Sequence, residues 1–329
     1  MKILVLAGGE SKEREVSLNT GKAIAAALKT IGHDVAMIDT KDGRDLLGAP
    51  ASESSPSGEI APRQKYDLSI PASMRDCDCV FIALHGGLGE NGTLQAMFDL
   101  AKVPYTGSGV LASALAMDKQ RTKLILSAVG VPSPRTVCFG DEASIFKYLG
   151  SEGADDLEYP MVVKPNCEGS TVGLSIVHSY DQLLDGIRLA GKYDLNILVE
   201  EFIPGRELTV AILGEEALPV VEIVPKSGFY DYHSKYTSGA SDYFCPAEID
   251  PTVEKDAKEF ALTAFQVLGC EGYARVDFRL NPDNELFCLE VNTLPGMTAT
   301  SLVPKAAKAA GMSFEQLLSK IIELSLKKS

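Results

Sequence analysis

Ala274-Arg275-Val276-Asp277-Phe278 and Cys288-Leu289-Glu290-Val291-Asn292 are the two stretches on which the reading of this chain turns. Apolar and polar residues alternate in both with the period of a half-buried strand, so Arg275, Asp277, Glu290 and Asn292 belong to one face. Asn281-Pro282-Asp283-Asn284 supplies turn residues between them. A two-residue turn at Asp283-Asn284 sets Asp277 opposite Glu290 and Arg275 opposite Asn292. Three oxygen donors and one guanidinium then converge, a set suited to a hard cation such as Mg²⁺ beside a developing anion. The same alternation also describes an ordinary half-solvated hairpin.

Composition narrows the class of protein. The 329 residues are 45% hydrophobic and 23% charged, enough for two or three domains with their own cores. A formal net charge of -14 opposes nucleic acid and anionic membrane as partners. Lys2 precedes Ile3-Leu4-Val5-Leu6-Ala7, an apolar run too short for a signal peptide that reads instead as a first buried strand. No apolar run approaches the roughly 18 residues that cross a bilayer, and a cytoplasmic protein is expected. Seven cysteines without framework spacing read as reduced and structural. The four scattered histidines, His33, His85, His178 and His233, argue against a His-rich metal site.

Strand and helix alternate at the start: Lys2 to Leu6 as strand, Val16 to Ile31 as helix, Asp34 to Ile38 and Cys79 to Leu84 as strands. This predicts a parallel sheet with ligands at its strand C-termini. Gly8-Gly9 follows the first strand, where backbone amides and a helix start could receive an anionic group. In Glu13-Arg14-Glu15-Val16-Ser17, Ser17 or a neighbour is expected to cap the helix, or a carboxylate there to grip a substrate ammonium. Residues 43 to 63, rich in Ser, Pro, Ala and Gly, read as a surface excursion. A compact α+β unit follows, then a strand-rich part with a long polar and aromatic loop from Pro225 to Ala247 and two closing helices. The boundaries expected are 1–106, 107–200 and 201–329.

Lys164-Pro165-Asn166-Cys167-Glu168-Gly169-Ser170-Thr171-Val172-Gly173 reads as a strand end with a Lys and a glycine-rich loop able to bring amides to phosphate oxygens, or as a plain hairpin turn. It is not a P-loop, since G-x-x-x-x-G-K-[ST] is absent from the chain. Leu198-Val199-Glu200-Glu201 ends an apolar strand in two acids that suit ribose hydroxyls or merely solubilise the strand end. Phe229 to Tyr236 would make a lid or a packed surface loop.

Taken in order, these segments resemble the ATP-grasp superfamily, in particular the D-alanine:D-alanine ligase family. The resemblance also rests on His85-Gly86 with Glu90-Asn91-Gly92-Thr93, Pro104-Tyr105-Thr106-Gly107-Ser108-Gly109, Met117-Asp118-Lys119 and Pro295-Gly296-Met297-Thr298. It implies a mixed α/β and α+β chain with an N-terminal parallel-sheet domain and two α+β subdomains enclosing ATP. It also implies ADP-forming ligation of two D-alanines through a D-alanyl phosphate, for peptidoglycan precursors. The resemblance assigns two Mg²⁺, or Mn²⁺ in their place, to Asp277, Glu290 and Asn292, and the transferring phosphoryl and later oxyanion to Arg275. Lys119, Lys164 and Lys235 would contact ATP phosphates, with Glu200 and Glu207 at the adenosine end. Glu13 would bind the first ammonium and His85 orient that substrate. Ser170 and Tyr236 would join the glycine-rich loop to the lid. The second carboxylate would sit near Ser301 and Leu302, with Gly296 permitting close approach. A homodimer is the family expectation. Cys167 and Thr171 near Ser170, the pair Glu200-Glu201, and Leu88 depart from the family pattern. A D-alanine:D-lactate depsipeptide ligase and a non-catalytic nucleotide-binding protein are the alternative readings.

Overall fold

The computed structural model describes residues 1–47, 76–140, 144–145, 157–226, 239–298 and 301–327, and in them three sheets form. Strand β1 (Lys2–Ala7) lies between β2 (Asp34–Asp39) and β3 (Cys79–Ile82), parallel to both. Its residues Ile3 to Ala7 are all buried, as expected of a central parallel strand with both faces covered. Helix α1 (Arg14–Thr30) packs on this sheet.

Gly8 and Gly9 do not offer their amides to a ligand. Gly8 N–H donates to Ser17 Oγ at 2.8 Å and Gly9 N–H to Asp39 Oδ1 at 3.2 Å. Ser17 is correspondingly not a cap: it sits a turn inside α1 and donates to Ala83 O, tying the helix to the end of β3. Arg14 forms a bidentate pair with the buried Asp39, which holds that carboxyl well below the usual carboxylate range. The residue at the cap position is Glu13, whose side chain makes no capping hydrogen bond.

The second sheet has the order β4 (Thr136–Phe139), β7 (Ile197–Glu201), β5 (Met161–Pro165), β6 (Ser175–Val177), all antiparallel. Between β3 and β4 run α2 (Thr93–Ala101), α3 (Val110–Met117) and α4 (Lys119–Ala128). Helix α5 (Tyr180–Ala190), capped by Ser179, buries Leu183, Ile187 and Ala190 against the second sheet.

The third sheet runs β11 (Ser241–Phe244), β10 (Val221–Pro225), β8 (Arg206–Leu213), β12 (Tyr273–Leu280), β13 (Leu286–Asn292), with the short β9 (Glu216–Ala217) beside β8. Strand β11 falls inside the stretch expected to be loop from Pro225 to Ala247. There the β10 edge needs a partner for its free backbone groups, and Glu222 to Pro225 pair with Phe244 to Ser241. Helix α6 (Pro251–Val267) starts with Asp250 accepting from Thr252 N and Pro251 in the first turn, and covers one face.

Asp277 stands opposite Glu290 and Arg275 opposite Asn292, as the alternation requires, but by a different route. The turn is a three-residue loop, 282–284, closed by Asn281 N donating to Glu285 O, with Asn284 left-handed at φ 63°. Past it, Phe278 pairs with Cys288, so the register shifts by one between Asp277 and Phe278. Leu289 is the extra residue, and this bulge returns Glu290 and Asn292 to the face of Arg275 and Asp277.

Helices α7 (Leu302–Ala309) and α8 (Phe314–Leu326) close the chain. Leu317, Leu318, Ile321 and Ile322 share one core with Leu4, Leu6 and Phe81, so the last helix helps bury the first sheet. No described helix is long and apolar enough to cross a membrane. The expected excursion at 43–63 lies largely outside the described residues.

Gly205, at φ 116° between β7 and β8, has no room for a side chain, because a Cβ there would collide with Leu280 O. Gly205→Ala is expected to destabilise the fold by about 1–3 kcal/mol, read as a lower urea midpoint with an unchanged slope.

Candidate active site

Two cavities meet between the sheets. The larger, about 480 Å³, is bounded by Glu13, His85, Arg275, Asn292, Gly296 and Ser301, among others. The smaller, about 120 Å³, has Val162, Phe202, Ile203 and Leu289 as apolar walls and Lys164, Glu200, Glu207, Asp277 and Arg279 as polar ones. Lys119, Glu168, Gly169, Ser170 and Glu290 border both. The glycine-rich loop is therefore the partition between them.

In the larger cavity, Ser170 Oγ donates to Glu13 Oε1, joining the start of α1 to the glycine-rich loop. This explains why Glu13 does not cap its helix. Ser170 and Thr171 both adopt left-handed backbone, at φ 49° and 61°, conformations non-glycine residues seldom hold without support. His85 is buried, with Nδ1 3.1 Å from Leu294 O and Nε2 3.2 Å from Thr20 Oγ1. A carbonyl only accepts, so Nδ1 carries a proton toward Leu294 O, and Thr20 Oγ1 lies within hydrogen-bond distance of Nε2. Beside it, burial pushes the Glu90 carboxyl up against the opposing pull of His85. At the far end, Ser301 precedes α7; its Oγ accepts from Thr298 N at 3.0 Å and would lie 3.1 Å from a Cβ at Gly296. Leu302 opens the helix, whose free amides suit a carboxylate.

On the strand face, Arg275 grips Asp277 through Nε and Nη2, each at 2.8 Å, and Thr209 donates to Asp277 Oδ1 at 2.6 Å. Glu290 lies 3.3 Å from Lys119 Nζ, which also donates to Glu168 O at 2.6 Å. Asn292 Oδ1 accepts from Leu294 N. Among the described residues no three His, Cys, Asp or Glu side chains gather as a metal cluster. The available set is two carboxylates and one amide oxygen, hard donors that fit Mg²⁺ if water and phosphate oxygens complete its shell.

At the smaller cavity, Glu200 is buried between Lys164 and Lys123, each 2.8 Å away. Burial alone would push the Glu200 carboxyl up, but the two lysines hold it below the ordinary range. Glu207 faces Arg279 at 3.6 Å. Glu201 pairs with Arg135 at 3.1 Å and also borders the smaller cavity, so both acids of this strand end reach that space. Thr171 Oγ1 is buried without a hydrogen-bond partner among the described residues, a donor beside the cavity that a phosphate oxygen would satisfy.

The structure thus brings together Glu13, His85, Lys119, Lys164, Ser170, Glu200, Glu207, Arg275, Asp277, Glu290, Asn292, Gly296, Ser301 and Leu302 around the paired cavities. Lys235 and Tyr236 lie outside the described residues. Sequence reading missed Thr209, Thr20, Arg279 and Lys123. Lys123 carried a usable signal, since it follows Lys119 by one helical turn. The others depend on strand register and on contacts between distant segments.

Family models described as the D-ala D-ala ligase N-terminus and C-terminus match residues 2–108 and 125–323. The D-alanine--D-alanine ligase of Syntrophotalea carbinolica is 47% identical, covering 98% of this chain and 95% of that protein. That of Halalkalibacterium halodurans is 46% identical over the whole of both chains. Among solved structures, the VanG D-Ala:D-Ser ligase of Enterococcus faecalis superposes with a TM-score of 0.82 at 34% identity, covering 98% of this chain and 99% of its own. The Bacillus anthracis D-alanine--D-alanine ligase complexed with ATP gives 0.78 at 30% identity, covering 100% and 98%.

Because Glu13 and Ser170 bridge two sheets, Glu13→Gln and Ser170→Ala should be coupled. A double-mutant cycle on urea unfolding is expected to give about 1–2 kcal/mol of interaction, and additive effects would remove the bridge from the account.

Proposed function

We propose that this chain, which belongs to the D-alanine--D-alanine ligase family, joins two D-alanines at the expense of ATP in the cavity pair described above. The observation that carries the reading is the shared border: Lys119, Glu290 and the glycine-rich loop bound both spaces. A nucleotide in the smaller cavity, with its adenosine end toward Glu200 and Glu207, would point its phosphates at that border. There Lys119, Lys164 and the loop, with Lys235, would hold them. A D-alanine in the larger cavity, its ammonium at Glu13 and its orientation set beside His85, would bring its carboxylate to the same place.

The first carboxylate attacks the γ-phosphorus, giving D-alanyl phosphate and ADP. The amine of the second D-alanine, whose carboxylate is received by Ser301 and Leu302 beside Gly296, attacks the carbonyl carbon and phosphate leaves. Asp277, Glu290 and Asn292 would hold two Mg²⁺ ions, or Mn²⁺, which when bound supply positive charge to the triphosphate. Arg275 would meet the charge that develops on the phosphoryl group and then on the tetrahedral oxygen. Holding donor and acceptor in one enclosed space contributes roughly 7–11 kcal/mol toward such a bimolecular step. Ser170 and Tyr236 would keep water from the acyl phosphate by fastening the loop and the lid. The dipeptide is of the kind built into peptidoglycan precursors. A cytoplasmic homodimer with small-molecule substrates, and no nucleic-acid or membrane partner, completes the reading.

The test is phosphate release by the purified protein with ATP and Mg²⁺, offered D-alanine, L-alanine, or D-alanine with D-serine or D-lactate, with products identified by mass. D-Alanyl-D-alanine formed only from the D enantiomer is the expected result. Release confined to the mixed pairs would reassign the acceptor, and nucleotide binding without release would refute turnover.

Asp277→Asn keeps the shape and the acceptor oxygen for Thr209 but removes the charge. Its turnover is expected to fall by about a hundredfold or more, and its melting temperature to drop because Arg275 loses its charged partner, with the protein still folded. Undiminished rates across a Mg²⁺ titration would take Asp277 out of the chemistry.

A further inference from the structure

Lys123 borders neither cavity. Its side chain is buried behind Glu200, 2.8 Å from Oε1, and donates to Thr136 Oγ1 at 3.1 Å. Lys164 holds the other oxygen of the same carboxylate. Among the described residues, two ammonium groups therefore share one buried anion, leaving one positive charge in excess where water is scarce. Burying a cation without a full counter-charge is costly, so such a triad is most stable when a further anion arrives.

We infer that Lys123 is a positioning residue for nucleotide: it is the standing counter-ion of Glu200, and so leaves the charge of Lys164 available to a phosphate group. The inference rests on the nucleotide reading of the smaller cavity. As a phosphate draws on Lys164, Glu200 keeps a partner only because Lys123 stays in place. Without Lys123, the same movement would strand a carboxylate that is 2% exposed. Lys123 lies on α4 with Lys119, which reaches the border of the two cavities, so one helix serves both the phosphate end and the adenosine end.

The groups facing Lys123 are Glu200, Lys164, Thr136 and the buried thiol of Cys288. Burial pushes Cys288 up to about 12, so it stays neutral in the working range. Burial lowers Lys123 to about 8, Glu200 pulling upward and Lys164 reinforcing the fall. Its charge is therefore present below about pH 8 and lost above it, and Glu200 then depends on Lys164 alone.

The experiment is calorimetric titration of the full chain with ADP and with a non-hydrolysable ATP analogue, both with Mg²⁺. It compares wild type, Lys123→Met, Glu200→Gln and the double variant. Lys123→Met is expected to weaken binding roughly tenfold or more, because the stranded carboxylate opposes it. In the double variant that carboxylate is gone, and affinity should return to about that of Glu200→Gln alone. A folded Lys123→Met that binds like wild type, or losses that multiply in the double variant, would overturn the inference. Should Lys123→Met not fold, wild type decides: affinity is expected to fall above about pH 8, and a flat profile sinks the proposal. Wild type that binds neither nucleotide would overturn the nucleotide reading itself, whereas normal wild-type binding with an indifferent Lys123→Met would overturn only the role of Lys123.

Discussion

Asp277 and Glu290 face each other because β12 and β13 pair in one register and no other, and the site depends on that pairing. A slip of one residue would send one partner to the apolar face occupied by Val276, Phe278 and Val291. The register is fixed from three directions. Asn281 closes the turn with its backbone and its side chain, β8 pairs along the whole of β12, and α6 buries the opposite face. The Leu289 bulge then spends one residue to correct the turn's odd length, and places Leu289 in the wall of the smaller cavity.

Charge around the cavities is set largely in pairs, with Lys123 as a second cation on Glu200. Lys119 faces Glu290, Lys164 faces Glu200, Arg275 faces Asp277 and Arg279 faces Glu207. In a chain of net charge -14, this pairing keeps buried cations from standing alone before a polyanion arrives. A triphosphate with its metal ions would exchange partners with these groups, cation for cation and anion for anion, so little charge would be uncovered at any stage. Pairs that are buried and hydrogen-bonded also hold their side chains at fixed angles, which favours a site that needs little rearrangement.

Much of this was legible in the chain. The period-two alternation placed Arg275, Asp277, Glu290 and Asn292 on one face, and the apolar runs located the three strands of the first sheet with ends off by one or two residues. Glycine and hydroxyl residues marked the loop that separates the cavities. What escaped reading was non-local. The turn at 282–284 was misjudged by one residue and the bulge cancelled the error, so the correct pairing followed from a wrong turn. Gly8 and Gly9 looked like an anion cradle because sequence does not reveal that Ser17 and Asp39 already take their amides. Thr209 reaches Asp277 only through the order β8-β12, and Lys123 was passed over because an interior lysine needs a known partner before it makes sense.

The shared core of the first sheet and the last helix has a consequence for how the molecule is made. Leu4, Leu6 and Phe81 leave the ribosome long before Leu317, Leu318, Ile321 and Ile322. Until that helix emerges, a nascent chain carries an incompletely covered apolar sheet, exposed to aggregation or to chaperone capture. Completion of α8 is a late step that commits the whole chain, and a ribosome stalled a few dozen codons early would release a protein with its strand face intact but its first sheet uncovered.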